Sequence, residues 1–399
     1  MIPDINQYCY FPKNSLKLNS NYQKSPIFYS WRFEVVKKTY GMMIVLLIIG
    51  SLTYGGENVL GAKETVVMDS QLVGFATLNG GTTGGTGYPK VITVSDANQL
   101  QKAIGSNRTI YIDGTITPTD FLREIKISYV SNLSIIGVAD RGELNGIGLR
   151  VMNSRNIVIR NLTIHHVVHQ FDNPNKPNQR ELTSGDAIGI VDSSRIWVDH
   201  CTLYNAGVDD AAQKAFVADM ISKGYTAAQA EEWEGSPKNL YDGLFDVTGN
   251  SKYITFSWNV VADSWKTCLI GSNDSDLTDR RITFHHNWFR NCNSRLPMVR
   301  AGVTHIYNNY YSDIVGSGIN SRIGAKVLVE NNYFENVKTP ISSSDGKGTW
   351  LAAGNVFVGR PGSNGGTANV TVSYPYTLET AEEAKVSVMA GAGAGKMQI

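Results

Sequence analysis

From Asn132 onward the chain repeats a short segment in which apolar and polar positions alternate. Ile157-Val158-Ile159-Arg160-Asn161-Leu162 aligns with Ile196-Trp197-Val198-Asp199-His200-Cys201, Ile254-Thr255-Phe256-Ser257-Trp258-Asn259 and Ile282-Thr283-Phe284-His285-His286-Asn287. Thr304-His305-Ile306-Tyr307-Asn308-Asn309 and Val327-Leu328-Val329-Glu330-Asn331-Asn332 continue the series, and a looser copy ends at Asn355. Alternation with a period of two predicts strands. The closing asparagines, Asn259, Asn287, Asn309, Asn332 and Asn355, stand 28, 22, 23 and 23 residues apart. A period in the low twenties predicts a solenoid, because one copy is too small to bury its own apolar face and stacked copies share a continuous core. No long helix separates the copies and no L-x-x-L-x-L pattern appears. The expected fold is therefore all-β, a parallel β-helix.

The asparagine column is expected at bends, where a residue often takes φ > 0 and asparagine tolerates it. Amides stacked rung on rung would also satisfy turn groups that cost about 1–3 kcal/mol each if left bare. Cys201 holds the same column one copy earlier, which predicts a buried thiol. Asn161 sits one place early, within an Asn-Leu-Thr sequon. The pattern places it inside the coil, away from any glycosylation.

Outside the repeat, helical spacing over 95–104 with Ser95 as N-cap predicts a short helix covering one end of the stack. Alternation over 109–117 predicts a strand. Alanine-rich runs broken by Gly224 predict a two-helix insertion over 209–240, beside the acidic residues. A further helix is expected over 379–388. The glycine-rich run 74–85 lacks a Gly-Lys-Ser/Thr ending and reads as a loop. Near the start, Lys37-Lys38 precede an apolar run over 42–52, followed by the small residue Ala62. Such a run is too short to span a bilayer and reads as a secretory signal. Residues 1–62 are thus expected as extension and signal peptide, and 63–399 as a single β-helix domain. The expected product is secreted and extracellular, monomeric, and without stable membrane association.

Composition narrows the chemistry. Across 399 residues, 36 Lys+Arg face 35 Asp+Glu, a balance that disfavours a broad nucleic-acid surface. Of four cysteines, Cys9 falls in the leader. Cys201, Cys268 and Cys292 remain, so at least one thiol is free, and no C-x-x-C pair suggests zinc. His165, His166 and His169 lie without H-E-x-x-H spacing and are expected to pack or hydrogen-bond. Asp199-His200 lacks a Gly-x-Ser-x-Gly elbow. Trp197, Trp258 and Trp288 sit within strands, where packing is a better expectation than sugar stacking.

The charged residues that stand out are Asp186, Asp242 and Asp246, with Lys266, Arg295 and Arg300. Asp186 precedes Ile196 by 10 residues and Asp242 precedes Ile254 by 12, so the two acids fall on neighbouring rungs. Clustered carboxylates repel unless a cation joins them, and a calcium ion accepts six to eight oxygens at flexible angles.

Four ordered stretches, Ile196–Cys201 as written above, Asp242-Gly243-Leu244-Phe245-Asp246, Trp265-Lys266-Thr267-Cys268-Leu269-Ile270-Gly271 and Ser294-Arg295-Leu296-Pro297-Met298-Val299-Arg300, resemble the motifs of the pectate lyase superfamily, polysaccharide lyase family 1. The resemblance spans roughly residues 70–395 and implies a right-handed coil. It implies Asp186, Asp242 and Asp246 as Ca2+ ligands, Lys266 and Arg300 as substrate-binding residues, and Arg295 as catalytic base. Arginine is ordinarily a permanent cation, so that last role requires proton loss within the site. Some members carry another acid two residues before the first ligand; Ser184 stands there instead, which argues against a second calcium at that point. The implied activity is β-elimination of polygalacturonate to 4,5-unsaturated oligogalacturonides, endo-acting, in pectin breakdown. Competing readings are a calcium-independent pectin lyase, a non-catalytic polysaccharide-binding β-solenoid, and a glycoside hydrolase, which would need an acid pair at hydrolase spacing.

Overall fold

A computed structural model describes residues 71–206 and 210–397. The expected leader, 1–62, lies outside the described residues. The remainder is a right-handed parallel β-helix. Successive coils each contribute three strands, as in Phe245–Thr248, Lys252–Ser257 and Val260–Ala262, followed by Leu269–Ile270, Arg281–His285 and Trp288–Arg290. Strands stack in parallel on their counterparts one coil away, with Ile254 beside both Ile196 and Ile282. The register explains the sequence alignment: each aligned position occupies the same column of the stack.

Inward columns are apolar. Ile157, Ile196, Ile254 and Ile282 are fully buried, and the Phe289, Tyr311, Phe334 and Phe357 rings stack with centroids 4.9, 4.6 and 5.1 Å apart. Burial on this scale along a continuous column supplies the stability that no single coil could.

The asparagine column forms a hydrogen-bonded ladder. Each Nδ2 donates to the Oδ1 of the next, from Asn259 through Asn287, Asn309 and Asn332 to Asn355, every step 2.9 Å. The same Oδ1 atoms accept backbone N–H groups one rung earlier, beginning with Cys201 N on Asn259 at 2.8 Å. Asn364 closes the far end. One expectation needs correction: the left-handed residues are the predecessors of the column. Trp258, His286, Asn308 and Asn331 have φ near 50°, while the ladder asparagines do not. The bend is made one residue early, and the ladder residue is left free to point its amide along the stack. Asn161 lies in that left-handed position, fully buried and donating to Gly137 O and Ala139 O.

Helix Ala97–Ala103 buries Leu100 against the first coils. Its cap is Asp96, whose side chain accepts from Gln99 N at 2.8 Å, and not the expected Ser95. Ser95 N is instead bonded by the Gln99 side chain. The insertion holds two helices, Asp210–Ser222 and Ala227–Glu231, the second closed by a Thr226–Gln229 capping box. Helix Ala381–Gly391 carries a matching Thr380–Glu383 box and lays Val388 against Tyr310.

Candidate active site

Eight short strands make the face that carries the charged residues: Glu124–Ser128, Gly148–Met152, Ile188–Val191, Phe245–Thr248, Leu269–Ile270, Met298–Arg300, Ile319–Arg322 and Ile341–Ser342. Asp186 precedes the third, Asp246 lies within the fourth opposite Gly189, and Asp242 precedes it. Lys266 bridges in parallel to Ser294, on the bend that leads to Arg295. The coil therefore places three acids and two cations on one flank.

Backbone amides orient the two most buried acids. Asp186 Oδ1 accepts Gly243 N at 3.1 Å and Asp246 Oδ1 accepts Leu269 N at 2.9 Å. Asp186 is 9% exposed and Asp246 7%. Burial pushes the Asp186 carboxyl well above its usual range, and the nearby charges of Asp246 and Asp242 raise it further. Burial also pushes Asp246 up to about 7, with Asp242 adding to it while Arg295 and Lys266 pull against it. The five side chains thus act on one another electrostatically.

Two glycines make room for this cluster. A Cβ on Gly243 would lie 2.1 Å from Asp246 Oδ1, and one on Gly189 would lie 2.9 Å from Asp186 Oδ2. Gly189 lies inside a strand, where a glycine signals close approach, and Gly243 lies two residues before one.

The cations differ. Lys266 Nζ lies 3.5 Å from Asp242 Oδ1. The Arg295 side chain makes no hydrogen bond or ion pair among the described residues, and its backbone sits at φ 65°. Arg300 is committed elsewhere, with Nε 3.0 Å from Asp274 and a guanidinium N–H donating to Gly271 O at 3.0 Å.

Known proteins resemble the chain along most of its length. The family model for pectate lyases matches residues 41–397. The chain belongs to the pectate lyase family. A pectate trisaccharide-lyase of Bacillus licheniformis is 42% identical over 374 residues, covering 89% of this chain and 97% of that relative. Pectate lyase A of Aspergillus niger is 35% identical over 341 residues, covering 83% and 90%. Among solved structures, a pectate lyase from Bacillus sp. N165 in complex with trigalacturonate matches with a TM-score of 0.64 at 36% identity, over 82% of this chain and 99% of that one.

In this family member the remaining singled-out residues are structural. His200 Nδ1 and Asp199 Oδ2 form a fully buried pair at 2.8 Å, with Arg160 2.9 Å from the same carboxylate. Trp197 Nε1 donates to Ser257 Oγ, and Trp258 stacks on His286. Cys201, Cys268 and Cys292 are all free and buried. Ser184 gives both its N–H and its hydroxyl to Glu124 Oε1, at 3.0 and 2.7 Å. That buried acid escaped the sequence reading because it belongs to the first strand of the face, far from the repeat. A cleft of about 920 Å³ abuts the cluster through Glu124 and His169 and is walled by Phe121, Arg123, Phe171 and Leu240.

The three histidines do not form one group. His165 bonds Glu143 at 2.7 Å and stacks on Tyr204, and its Nδ1 meets His166 at 2.6 Å. His169 turns to Glu181 and Asp242.

Proposed function

We propose that this chain is a secreted, calcium-dependent pectate lyase that cleaves polygalacturonate internally by β-elimination. The observation that carries the proposal is the trio of buried Asp186, buried Asp246 and partly exposed Asp242, with Lys266 and with Arg295, unpaired among the described residues, on the same flank. The acids suit a calcium ion: they are oxygen donors, they repel one another, and two of them, Asp186 and Asp246, are buried where charge needs a compensating cation. Asp186 Oδ2 and Asp246 Oδ2 take no hydrogen bond among the described residues, so each carboxylate offers an oxygen.

A uronate C5–H is weakly acidic because the adjacent carboxylate can take up the charge left behind. When bound, Ca2+ supplies charge neutralisation of that carboxylate. Lys266 adds a fixed positive charge beside Asp242, which stabilises the developing enolate-like anion. Arg295, as the neutral guanidine, accepts the C5 proton, the C–H pair becomes the C4–C5 double bond, the C4–O4 bond breaks, and O4 leaves on the other fragment, taking up a proton that the resulting guanidinium gives back through solvent. No water is consumed. Arg300, tied to Asp274, serves the sugar chain from the next rung without taking part in proton transfer.

Polygalacturonate is incubated with the purified chain, with calcium and with a chelator, and near-ultraviolet absorbance of the unsaturated ends is followed beside reducing ends. Calcium-dependent absorbance with a rapid fall in polymer length is expected. Absorbance unaffected by chelation, preference for the methylated polymer, or reducing ends without absorbance would overturn the proposal.

A further inference from the structure

A second metal-ligand cluster adjoins the first. One donor atom from each of His169, Glu181 and Asp242 lies within 4.8 Å of the others. The imidazole is held firmly. His169 N donates to Leu240 O at 2.9 Å, Val168 bridges Tyr241, Phe171 bridges Glu181, and the Phe171 ring lies 4.0 Å from the imidazole. Gly185, at φ 71°, makes room for His169, since a Cβ there would lie 2.7 Å from the His169 Cβ and 2.8 Å from the ring's Cγ.

The hydrogen-bond pattern sets the tautomer. Nε2 lies 2.6 Å from Glu181 Oε1, so its proton points to that carboxylate. In the neutral ring Nδ1 is then the bare nitrogen. It is buried without a hydrogen-bond partner among the described residues, on a side chain only 8% exposed, and faces Asp242 Oδ2 across 4.0 Å. That gap is too long for a hydrogen bond. A lone pair and a carboxylate oxygen facing each other at this separation are one small closure short of sharing a cation, since bonds of about 2.0–2.2 Å place neighbouring ligands roughly 3–3.5 Å apart. A carboxylate behind the other ring nitrogen is the usual support for a metal-bound histidine.

We propose that His169 Nδ1 and Asp242, backed by Glu181, form a second cation site selective for a borderline divalent ion such as zinc, cobalt or nickel. Imidazole favours such ions over calcium, which prefers oxygen. Because Asp242 also belongs to the proposed calcium set, occupancy here draws on a carboxylate the calcium needs. The borderline ion is therefore an antagonist of calcium at this flank.

The test uses Co2+ added to the full calcium-free chain, read by its visible absorption and by calorimetry, so the outcome stands apart from the lyase assay. Wild type is expected to take up one equivalent with a nitrogen–oxygen spectrum, and calcium to displace it. His169→Gln should weaken uptake by about 100-fold and Glu181→Gln by about 10-fold, while Asp246→Asn keeps cobalt affinity but loses calcium affinity. Glu181 is exposed, so its variant reports even if His169→Gln fails to fold. No uptake by wild type, undiminished uptake by both His169→Gln and Glu181→Gln, or loss of uptake in Asp246→Asn alone would overturn the site.

Discussion

Gly243→Ala isolates the geometry of the site from the stability of the coil. The added methyl carbon would start 2.1 Å from Asp246 Oδ1 and 2.5 Å from its Cγ, where ordinary contact begins at 3.4 Å. The carboxylate must therefore move by about 1.3 Å, and a displacement near 1 Å can cost roughly 100-fold in rate. Asp246 is the far end of a side chain, so it can swing away without disturbing the strand. Its bond from Leu269 N is the contact given up, worth about 1 kcal/mol. The variant should keep a cooperative melt within a few degrees of wild type and lose about 100-fold in kcat/KM on polygalacturonate at fixed calcium. A calcium titration should shift to higher concentration, because the mispositioned oxygen weakens the ion. Activity and calcium dependence within about threefold of wild type would refute the reasoning that Gly243 sets the position of Asp246.

Three further outcomes are expected. Arg295→Lys should lower kcat by about 10²–10⁴-fold, the usual range for a positioned proton acceptor, with an unchanged circular dichroism spectrum; turnover near wild type would remove Arg295 from that role. Asn309→Ala strips the ladder of donors to Phe284 O, Tyr307 O and Asn332 and of the acceptor for Asn287 N, so urea unfolding should show a loss of about 3–5 kcal/mol, and a loss under about 1 kcal/mol would mean the ladder is dispensable. Burial, helped by the neighbouring His286 charge, holds His285 well below its usual pKa; the unfolded chain binds a proton near pH 6.5 that the folded chain refuses. With calcium saturating, stability should then fall as pH drops below 6.5, by up to about 1.4 kcal/mol per unit from this group, and His285→Asn should flatten that slope.

The sequence made the coil legible because the ladder demands one residue type at one place in every turn. Asn259 to Asn355 are recognisable on that account, and the apolar columns beside them follow by register. The bend itself was misplaced by one residue. Its occupants, His200, Trp258, His286, Asn308 and Asn331, share a backbone conformation but no side-chain chemistry, so nothing in the letters marks them. The acids were visible through their offsets from the repeat. Their glycine neighbours and the buried Glu124 were not, because close approach and cross-strand contact carry no period. His169 was grouped with His165 and His166 by proximity in the chain. The pairing of Val168 with Tyr241 carries it away from them to Asp242, and that pairing depends on the insertion returning to the face.

The two cations of the flank are not equivalent. Lys266 has an acid within reach before any ligand arrives, and its charge offsets part of the repulsion among the aspartates. Arg295 has no such partner among the described residues, although it lies close enough to Asp246 for its charge to lower that carboxyl's pKa. Two backbone amides, from Gly243 and Leu269, hold one oxygen each of Asp186 and Asp246, and they do so without consuming a side-chain cation. Had an arginine filled that place, it would have neutralised the acids and closed the site in one step. Peptide N–H groups hold the carboxylates without adding a formal charge, so on the proposed reading the acids keep theirs for an ion and Arg295 stays available to the substrate. A stacked coil can supply those amides at a fixed register, which a loop-built site would have to order afresh.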